Sequence, residues 1–406
     1  MWGCAVLYYL FQYILRVSPS VMMDEIMGAF NVSAHGFATL SAIAMYCYGL
    51  AQIPAGVMAD IFGARRVILI SIILCICGIA LFATAQGLTQ AMCGRALLGF
   101  GSAGAFLTVN KIGAAWFPPG RRAFVFGITM TAGTIGALNG GAPLAALSHA
   151  MGWREALLTL CLVGGCIFLV NSIWLKASPK GDIQSETIVL RDLWRQLKKT
   201  LKNVHVLIAA LAAVGIYLAI AVLADLWGVA YMMQFYSIDK STAAQCTSLL
   251  YVGLCVGALV ISWWSDKTHQ RKRLIVAALV CNVISLTAFL YMPNLSLLGA
   301  CALLFFIGFC TGAEMVCFAY ATEIVPHAMM GTVTGYINGL VTLGGAFIQQ
   351  QVGKILDEVW CGQCTTQGLH LYGVTEYRYA LSLSIGVIVF TTFVALFLQD
   401  YKKKSA

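Results

Sequence analysis

Along this chain, long apolar stretches alternate with short polar or charged breaks, and the apolar stretches set the architecture. Val67 to Ala85, Ala156 to Leu175, Val204 to Leu223, Leu274 to Met292 and Leu381 to Leu398 are examples. At 1.5 Å of rise per residue, each is long enough to cross a hydrocarbon core of about 30 Å as a helix. Counting stretches between polar breaks predicts about twelve spans. They begin near Trp2, Ser33, Arg66, Thr89, Ala123, Glu155, Val204, Ala243, Leu274, Ser296, Met330 and Arg378. The pattern predicts an all-α polytopic membrane protein. The connection near the middle, from Ala177 to Asn203, is rich in charge and holds Pro179 and Gly181, so it reads as a linker. On that reading, 1–176 and 204–406 are six-helix halves and 177–203 joins them, with Leu190 to Leu201 predicted as an amphipathic surface helix.

An internal repeat supports the division. Gly104 and Gly312, Pro118 and Pro326, Gly127 and Gly335, and Gly136 and Gly344 are all separated by the same 208 positions. Asp60 and Asp266 are each followed five residues on by an arginine, Arg65 and Arg271. Trp153-Arg154 and Tyr377-Arg378 form a matching aromatic-arginine pair late in each half. Parallel six-helix repeats are an architecture of secondary transporters, with the solute site near the midplane between repeats.

Composition agrees with a membrane setting: 60% of residues are hydrophobic and 10% charged, against about a quarter charged in a soluble domain. The net charge of +9 would suggest nucleic acid in a soluble protein, so the placement of the cations decides its meaning. Arg65 and Arg66, Arg121 and Arg122, the run Arg191 to Lys202, Lys267, Arg271 to Arg273, and Lys402 to Lys404 fall in alternate connections. This asymmetry predicts that the linker and C-terminus are cytoplasmic, while Asp24 and Glu25 mark an opposite connection. Nucleic-acid binding is excluded. The apolar stretch from Trp2 lacks a basic n-region and cleavage site, and is expected to be a retained first span. Most of the 15 cysteines sit singly in apolar spans, and no metal or cofactor site is predicted. Glycine spacings such as Gly136 with Gly140 are expected to serve helix packing.

The stretch Gly56-Val-Met-Ala-Asp60-Ile-Phe-Gly63-Ala-Arg65-Arg66 resembles the signature between helices two and three of the major facilitator superfamily. The resemblance implies a gate: Gly56 and Gly63 for close backbone approach, with Asp60, Arg65 and Arg66 as a charge relay. The second copy, Ser262-Trp-Trp-Ser-Asp266-Lys-Thr-His269-Gln-Arg271-Lys272, keeps the acid and the cations but has Ser262 and His269 in place of the glycines. In helix four, Arg95-Ala-Leu-Leu-Gly99-Phe-Gly101 resembles the family element whose arginine is implicated in energy coupling. Helix five, Gly133 to Gly141, resembles the antiporter motif only in part, because the expected proline is absent and Pro143 lies later. That departure favours symport or uniport. The first helix, Tyr13-Ile-Leu-Arg16-Val-Ser-Pro19-Ser-Val-Met22, is similar to bacterial carriers of the organic-anion and sugar-acid branch. Gly94-Arg95 through Trp116-Phe117 is also similar to lysosomal-type dipeptide transporters and amino-acid carriers of intracellular bacteria.

Tyr9, Gln12, Tyr13 and Arg16 share one face of the first helix, a face too polar for lipid. Arg16 is the first candidate to hold a solute carboxylate or phosphate, since a guanidinium pairs with such groups bidentately. The alternative is an internal salt bridge to an acid of this chain. Lys111, one turn after Thr108, either contacts solute or snorkels to the interface. Asp225 in helix seven and Glu314 in helix ten are buried acids suited to carrying a proton, with Glu314 favoured; its alternative is an ion pair with Lys111 or Arg16. Asn139, Asn338 and Gln349 to Gln351 add hydrogen-bonding groups, Asn338 as a solute contact and the others first as interhelical bonds. Tyr46, Tyr48 and Tyr336 either line a cavity or pack. Glu323 and His327 are placed with a gate. Cys361 and Cys364 lie on the outer side, where a disulfide can persist.

These features point to a carrier that moves a small anionic or zwitterionic solute by alternating access, with proton symport. The alternatives kept are a dipeptide or amino-acid uniporter and a transporter-like metabolite receptor. The expected partners are the solute, protons and membrane lipids, with the chain working as a monomer in a bacterial inner membrane. The nucleophile-base motifs of enzymes and the phosphate loop of ATP-driven pumps are absent from the sequence.

Overall fold

The backbone of a helix satisfies its own N–H and C=O groups, which is the condition for crossing lipid, and this chain is helical throughout its apolar stretches. The computed structural model describes residues 1–117, 122–176, 203–325, 330–364 and 370–399. The expected surface helix at Leu190–Leu201, and Pro118, Arg121, Pro326, His327 and Lys402 to Lys404, lie outside the described residues.

The first half of the sequence forms α1 (Trp2–Val21), α2 (Met23–Phe30), α3 (Ala34–Ile61), α4 (Ala64–Ala83), α5 (Leu88–Trp116), α6 (Arg122–Gly140), α7 (Ala142–Met151) and α8 (Trp153–Trp174). The second forms α9 (Val204–Ala219), α10 (Gly228–Tyr236), α11 (Lys240–Thr268), α12 (Arg271–Tyr291), α13 (Leu297–Thr311), α14 (Glu314–Glu323), α15 (Met330–Glu358) and α16 (Val374–Ala395). Taking α6 with α7, α9 with α10, and α13 with α14 as single spans, and leaving the short α2 aside, gives twelve spans, each starting within four residues of its predicted position.

Among the described residues, eight helices are long and apolar enough to cross a membrane, or nine if the bent pair Met23–Phe30 and Ala34–Gln52 counts as one. The first and eleventh spans are more polar: α1 carries Gln12 and Arg16, and α15 carries Gln349, Gln350, Gln351 and Lys354.

Three spans expected to be continuous are interrupted. The fifth breaks at Gly141, and the tenth at Gly312 and Ala313, directly before Glu314. In the seventh, a π turn runs from Ile220 to Trp227 and holds Asp225. Just before that turn, the Ile216 carbonyl accepts hydrogen bonds from Thr311 Oγ1 (3.2 Å) and Asn282 Nδ2 (3.4 Å). Side chains that capture a carbonyl from outside let the helix change its register there.

By contact the chain forms two compact units. One holds the helices before the central linker together with Leu223–Ser248 and Gln349–Ala380; the other holds the stretch up to Val222, Leu249–Ile348 and the chain from Leu381 onward. In the first unit, the backbone N–H groups that open α3 are met by α15: Ala34 N donates to Asp357 Oδ1 (3.2 Å) and His35 N to Asp357 Oδ2 (3.0 Å). Tyr372 donates its hydroxyl to Asp357 and accepts from Ala34 N at 3.1 Å. Deeper along the same seam, Tyr46 donates to Gln350 Oε1 (3.1 Å) and Gln350 Nε2 donates to Thr39 Oγ1 (2.8 Å). Lys240 pairs with Glu25 at 2.9 Å in the same unit.

In the second unit, α11 and α13 meet at backbone distance. A Cβ placed on Gly257 would lie 1.9 Å from the Phe309 carbonyl oxygen, and one on Gly308 would lie 2.0 Å from that of Leu250. This is the small-residue crossing used by membrane helices.

Candidate functional site

The polar face of α1 is built as the sequence suggests and is occupied by an ion pair. Arg16 Nε and Nη2 both donate to Asp225 Oδ2, at 3.1 and 2.8 Å. The Arg16 side chain is 17% exposed and that of Asp225 2%. The guanidinium lies 5.8 Å from the Tyr13 ring centroid, and Tyr9 packs edge-on against Tyr13 at 5.2 Å. Tyr9 and Gln12 are buried, and Tyr13 is half-buried. The face reaches this position because α6 sets glycines against α1. A Cβ on Gly133 would meet the Tyr9 and Tyr13 rings at 2.9 and 3.0 Å, and one on Gly136 the Leu10 carbonyl at 2.2 Å.

The salt bridge foreseen as the alternative for Arg16 is therefore present, and its partner is Asp225 from the π turn of the seventh span. A π turn adds a residue to one helical turn and swings the following side chains, so Asp225 meets Arg16 although 209 positions separate them. Two roles assigned separately from sequence, solute anchor and proton-carrying acid, thus meet in one pair.

The other candidates sit elsewhere. Lys111 donates to the Ala59 carbonyl at 2.7 Å, near the end of α3. Glu314 is 6% exposed and opens α14 immediately after the break in its span. Asn139, expected as an interhelical bond, donates instead to the Ile135 carbonyl of its own helix at 2.8 Å. The Nδ2 of Asn338 is buried with no hydrogen-bond partner among the described residues.

The residues expected from sequence to form a gate make local networks. Gly63 caps the start of α4 with φ +84°, a conformation natural to glycine. Gly56 lies against Leu107 with room for a Cβ at 3.7 Å. Arg65 donates to the Ser172 carbonyl at 2.7 Å, and Arg66 is exposed. The Asp60 side chain is outside the description. In the second copy, Arg271 pairs with Asp266 and with Glu323, each at 2.8 Å, and donates to Ser265 Oγ at 2.7 Å. Arg95 is buried, donates to the Ser41 carbonyl at 3.4 Å and lies 5.8 Å from the Phe82 ring centroid. Gly99 brings α5 against α3, since a Cβ there would be 2.1 Å from the Ala44 carbonyl oxygen. Cys361 and Cys364 are both exposed free thiols, so the disulfide allowed by the sequence is not formed.

Sequence reasoning passed over Gln52 of α3. It is buried, and neither amide atom has a hydrogen-bond partner among the described residues. A lone glutamine between Ala51 and Ile53 in an apolar span was the available signal.

The model of the Major Facilitator Superfamily matches residues 1–348. The chain belongs to that superfamily. It is accordingly a multi-pass membrane protein of a transporter family and not an enzyme. The chain is 25% identical to the membrane sensor protein UhpC of Salmonella typhimurium (strain LT2), over 87% of this chain and 84% of that one. It is 22% identical to the hexuronate transporter of Bacillus subtilis (strain 168), over 87% of this chain and 86% of that one. Among solved structures, a bacterial homolog to the human lysosomal transporter Spinster, in an inward-facing and unoccupied conformation, superposes with a TM-score of 0.78. That match covers 100% of this chain and 98% of the other at 17% identity, which establishes the shared twelve-helix fold.

Proposed function

We propose that this superfamily member is a secondary active transporter that moves a small anionic or zwitterionic solute by alternating access, in symport with protons. The observation that carries the reading is the Arg16–Asp225 pair, held by a half-buried, tyrosine-flanked face of the first helix. A cation at this depth is costly to insert, by at least about 2.5 kcal/mol on insertion scales, and is retained where it binds or switches partners. Incoming solute takes the guanidinium with its carboxylate or phosphate and displaces Asp225. The freed aspartate accepts a proton or another cation, and this exchange couples solute to charge. Glu314, at the break of the tenth span, is the second proton carrier. Arg95 and the networks around Arg65 and Arg271 belong to the gate, Lys111 and Asn338 are further contacts to solute, and the basic connections put the linker and C-terminus in the cytoplasm. The chain works as a monomer in a bacterial inner membrane.

The hexuronate transporter supports the transport reading and an acidic solute. The test is uptake into proteoliposomes of a panel of sugar acids, dicarboxylates, amino acids and dipeptides, with and without an inward proton gradient. Accumulation of one class under the gradient is expected; equilibration that ignores the gradient would turn the reading to a uniporter. The likeness to a membrane sensor over most of the chain favours a second reading, in which the same face reports a metabolite without moving it. Ligand binding with no flux in the same vesicles would select it.

A further inference from the structure

The turn between α11 and α12 carries cations and tryptophans that the transport reading does not use. We propose that this edge binds the headgroup of an anionic phospholipid, with Lys267, Lys272 and Arg273 on its phosphate and Trp263 against the chain just beneath it.

The argument begins with the balance of charge. Arg271 occupies two acids at once, Asp266 through Nη1 and Glu323 through Nη2, each at 2.8 Å. Lys267, Lys272 and Arg273 are left with no acidic partner among the described residues, and Arg273 donates to the neutral Gln270 Oε1 at 3.3 Å. Lys267 closes α11 and Lys272 and Arg273 open α12, so three uncompensated cations flank one short turn. Like charges so placed repel one another, and an anion between them relieves the repulsion.

The helix beneath them is shaped for a lipid chain. Val256, Leu259, Val260, Trp263 and Lys267 recur at helical spacing along one face of α11, and all five are exposed. From Val256 to Lys267 the face rises about 16 Å, about the depth of hydrocarbon in one leaflet. Its chemistry passes from aliphatic to aromatic to cationic, the order in which acyl chain, glycerol and phosphate are layered. The Trp263 ring, 64% exposed, also fixes the cation above it, since Lys267 Nζ lies 5.1 Å from its centroid.

The two copies of the repeat differ at these positions. Where the second has Trp263, Trp264, Lys267 and Arg273, the first has the apolar residues Val57, Met58, Ile61 and Val67, each 206 positions earlier. The surface is therefore an addition to the shared motif. A free anion would account for the cations but not for the apolar stripe that leads to them. A zwitterionic headgroup would bring a further cation among the three, so a headgroup of net negative charge fits best.

The test is native mass spectrometry of the full-length protein in detergent, titrated with phosphatidylglycerol, with phosphatidylcholine and with inorganic phosphate. Wild-type protein is expected to retain phosphatidylglycerol at least tenfold more tightly than phosphatidylcholine. Lys267→Gln, Lys272→Gln and Arg273→Gln together are expected to weaken phosphatidylglycerol by about a hundredfold, the loss of three cations at a membrane surface, and to leave phosphatidylcholine unchanged. A control with Lys402, Lys403 and Lys404 all changed to Gln removes the same charge elsewhere and is expected to keep the preference. Equal retention of the two lipids by wild-type protein overturns the proposal, and does so even if the triple variant fails to fold. Equal loss in the control and the triple variant overturns it too, because the preference is then a property of net charge. Displacement of phosphatidylglycerol by millimolar inorganic phosphate would likewise sink it, since the edge would then take a soluble anion.

Discussion

Gly63 and His269 occupy the same place in the two copies of the repeated motif, three residues after Asp60 and Asp266, and both have a positive φ, at +84° and +54°. A positive φ is thus retained in the second copy where the glycine is replaced. A side chain in this region costs about 1–2 kcal/mol, and the second copy bears that cost.

The two positions respond oppositely to substitution. Gly63→Ala imposes the left-handed penalty and is expected to lower stability by about 1 kcal/mol, while His269→Gly removes it and leaves the melting temperature equal or higher. Thermal unfolding in detergent measures both. A loss of stability in His269→Gly would show that the imidazole makes a contact worth more than the strain.

Breaking the Arg16–Asp225 pair separates stability from function. Arg16→Ala leaves Asp225 buried beside no guanidinium and is expected to destabilise the protein by about 3 kcal/mol. Arg16→Ala combined with Asp225→Asn removes both charges and recovers most of that loss, while solute uptake stays absent. If the double variant transports, Arg16 does not hold the solute.

Asp357 caps a helix that is not its own. It accepts from two opening amides of α3, so Asp357→Ala removes this acceptor from the His35 amide and leaves Ala34 N only Tyr372, and is expected to cost about 1–2 kcal/mol. Tyr372→Phe, which removes one hydroxyl from the same cluster, is expected to cost less. The ranking of the two midpoints in thermal unfolding checks the assignment; equal midpoints for wild type and Asp357→Ala would refute the capping role.

The buried amide of Gln52 lacks a partner among the described residues, and such a group destabilises by about 1–3 kcal/mol. Gln52→Leu, close in shape and free of the amide, is expected to raise the melting temperature. Comparing its uptake with wild type then tells whether the penalty is retained for solute contact: lost uptake in a stabilised protein means that it is.

The sequence was informative where hydrophobic length and local motif carry the signal. Span positions follow from the apolar runs, and the partners of the Asp266–Arg271 pair lie five residues apart. What it hid was long-range pairing and helix breaks. Arg16 was open to a salt bridge, but the acid weighed against it was Glu314, whereas the partner is Asp225, brought round by a π turn that no residue type announces. The break before Glu314 falls at Gly312, in an apolar run rich in other glycines that do not break their helices. Asp357 looked like any acid at the end of a span, because the amides it caps belong to a helix more than 300 positions away.

The crossing of α11 and α13 has a mechanical meaning. Where side chains separate two helices, rotamer changes let one slide a little over the other, and the interface acts as a lubricated joint. At Gly257 and Gly308 that layer is missing, and each backbone rests on a carbonyl of its neighbour. The two helices therefore behave as a welded strut, and any displacement imposed on one is delivered undiminished to the other.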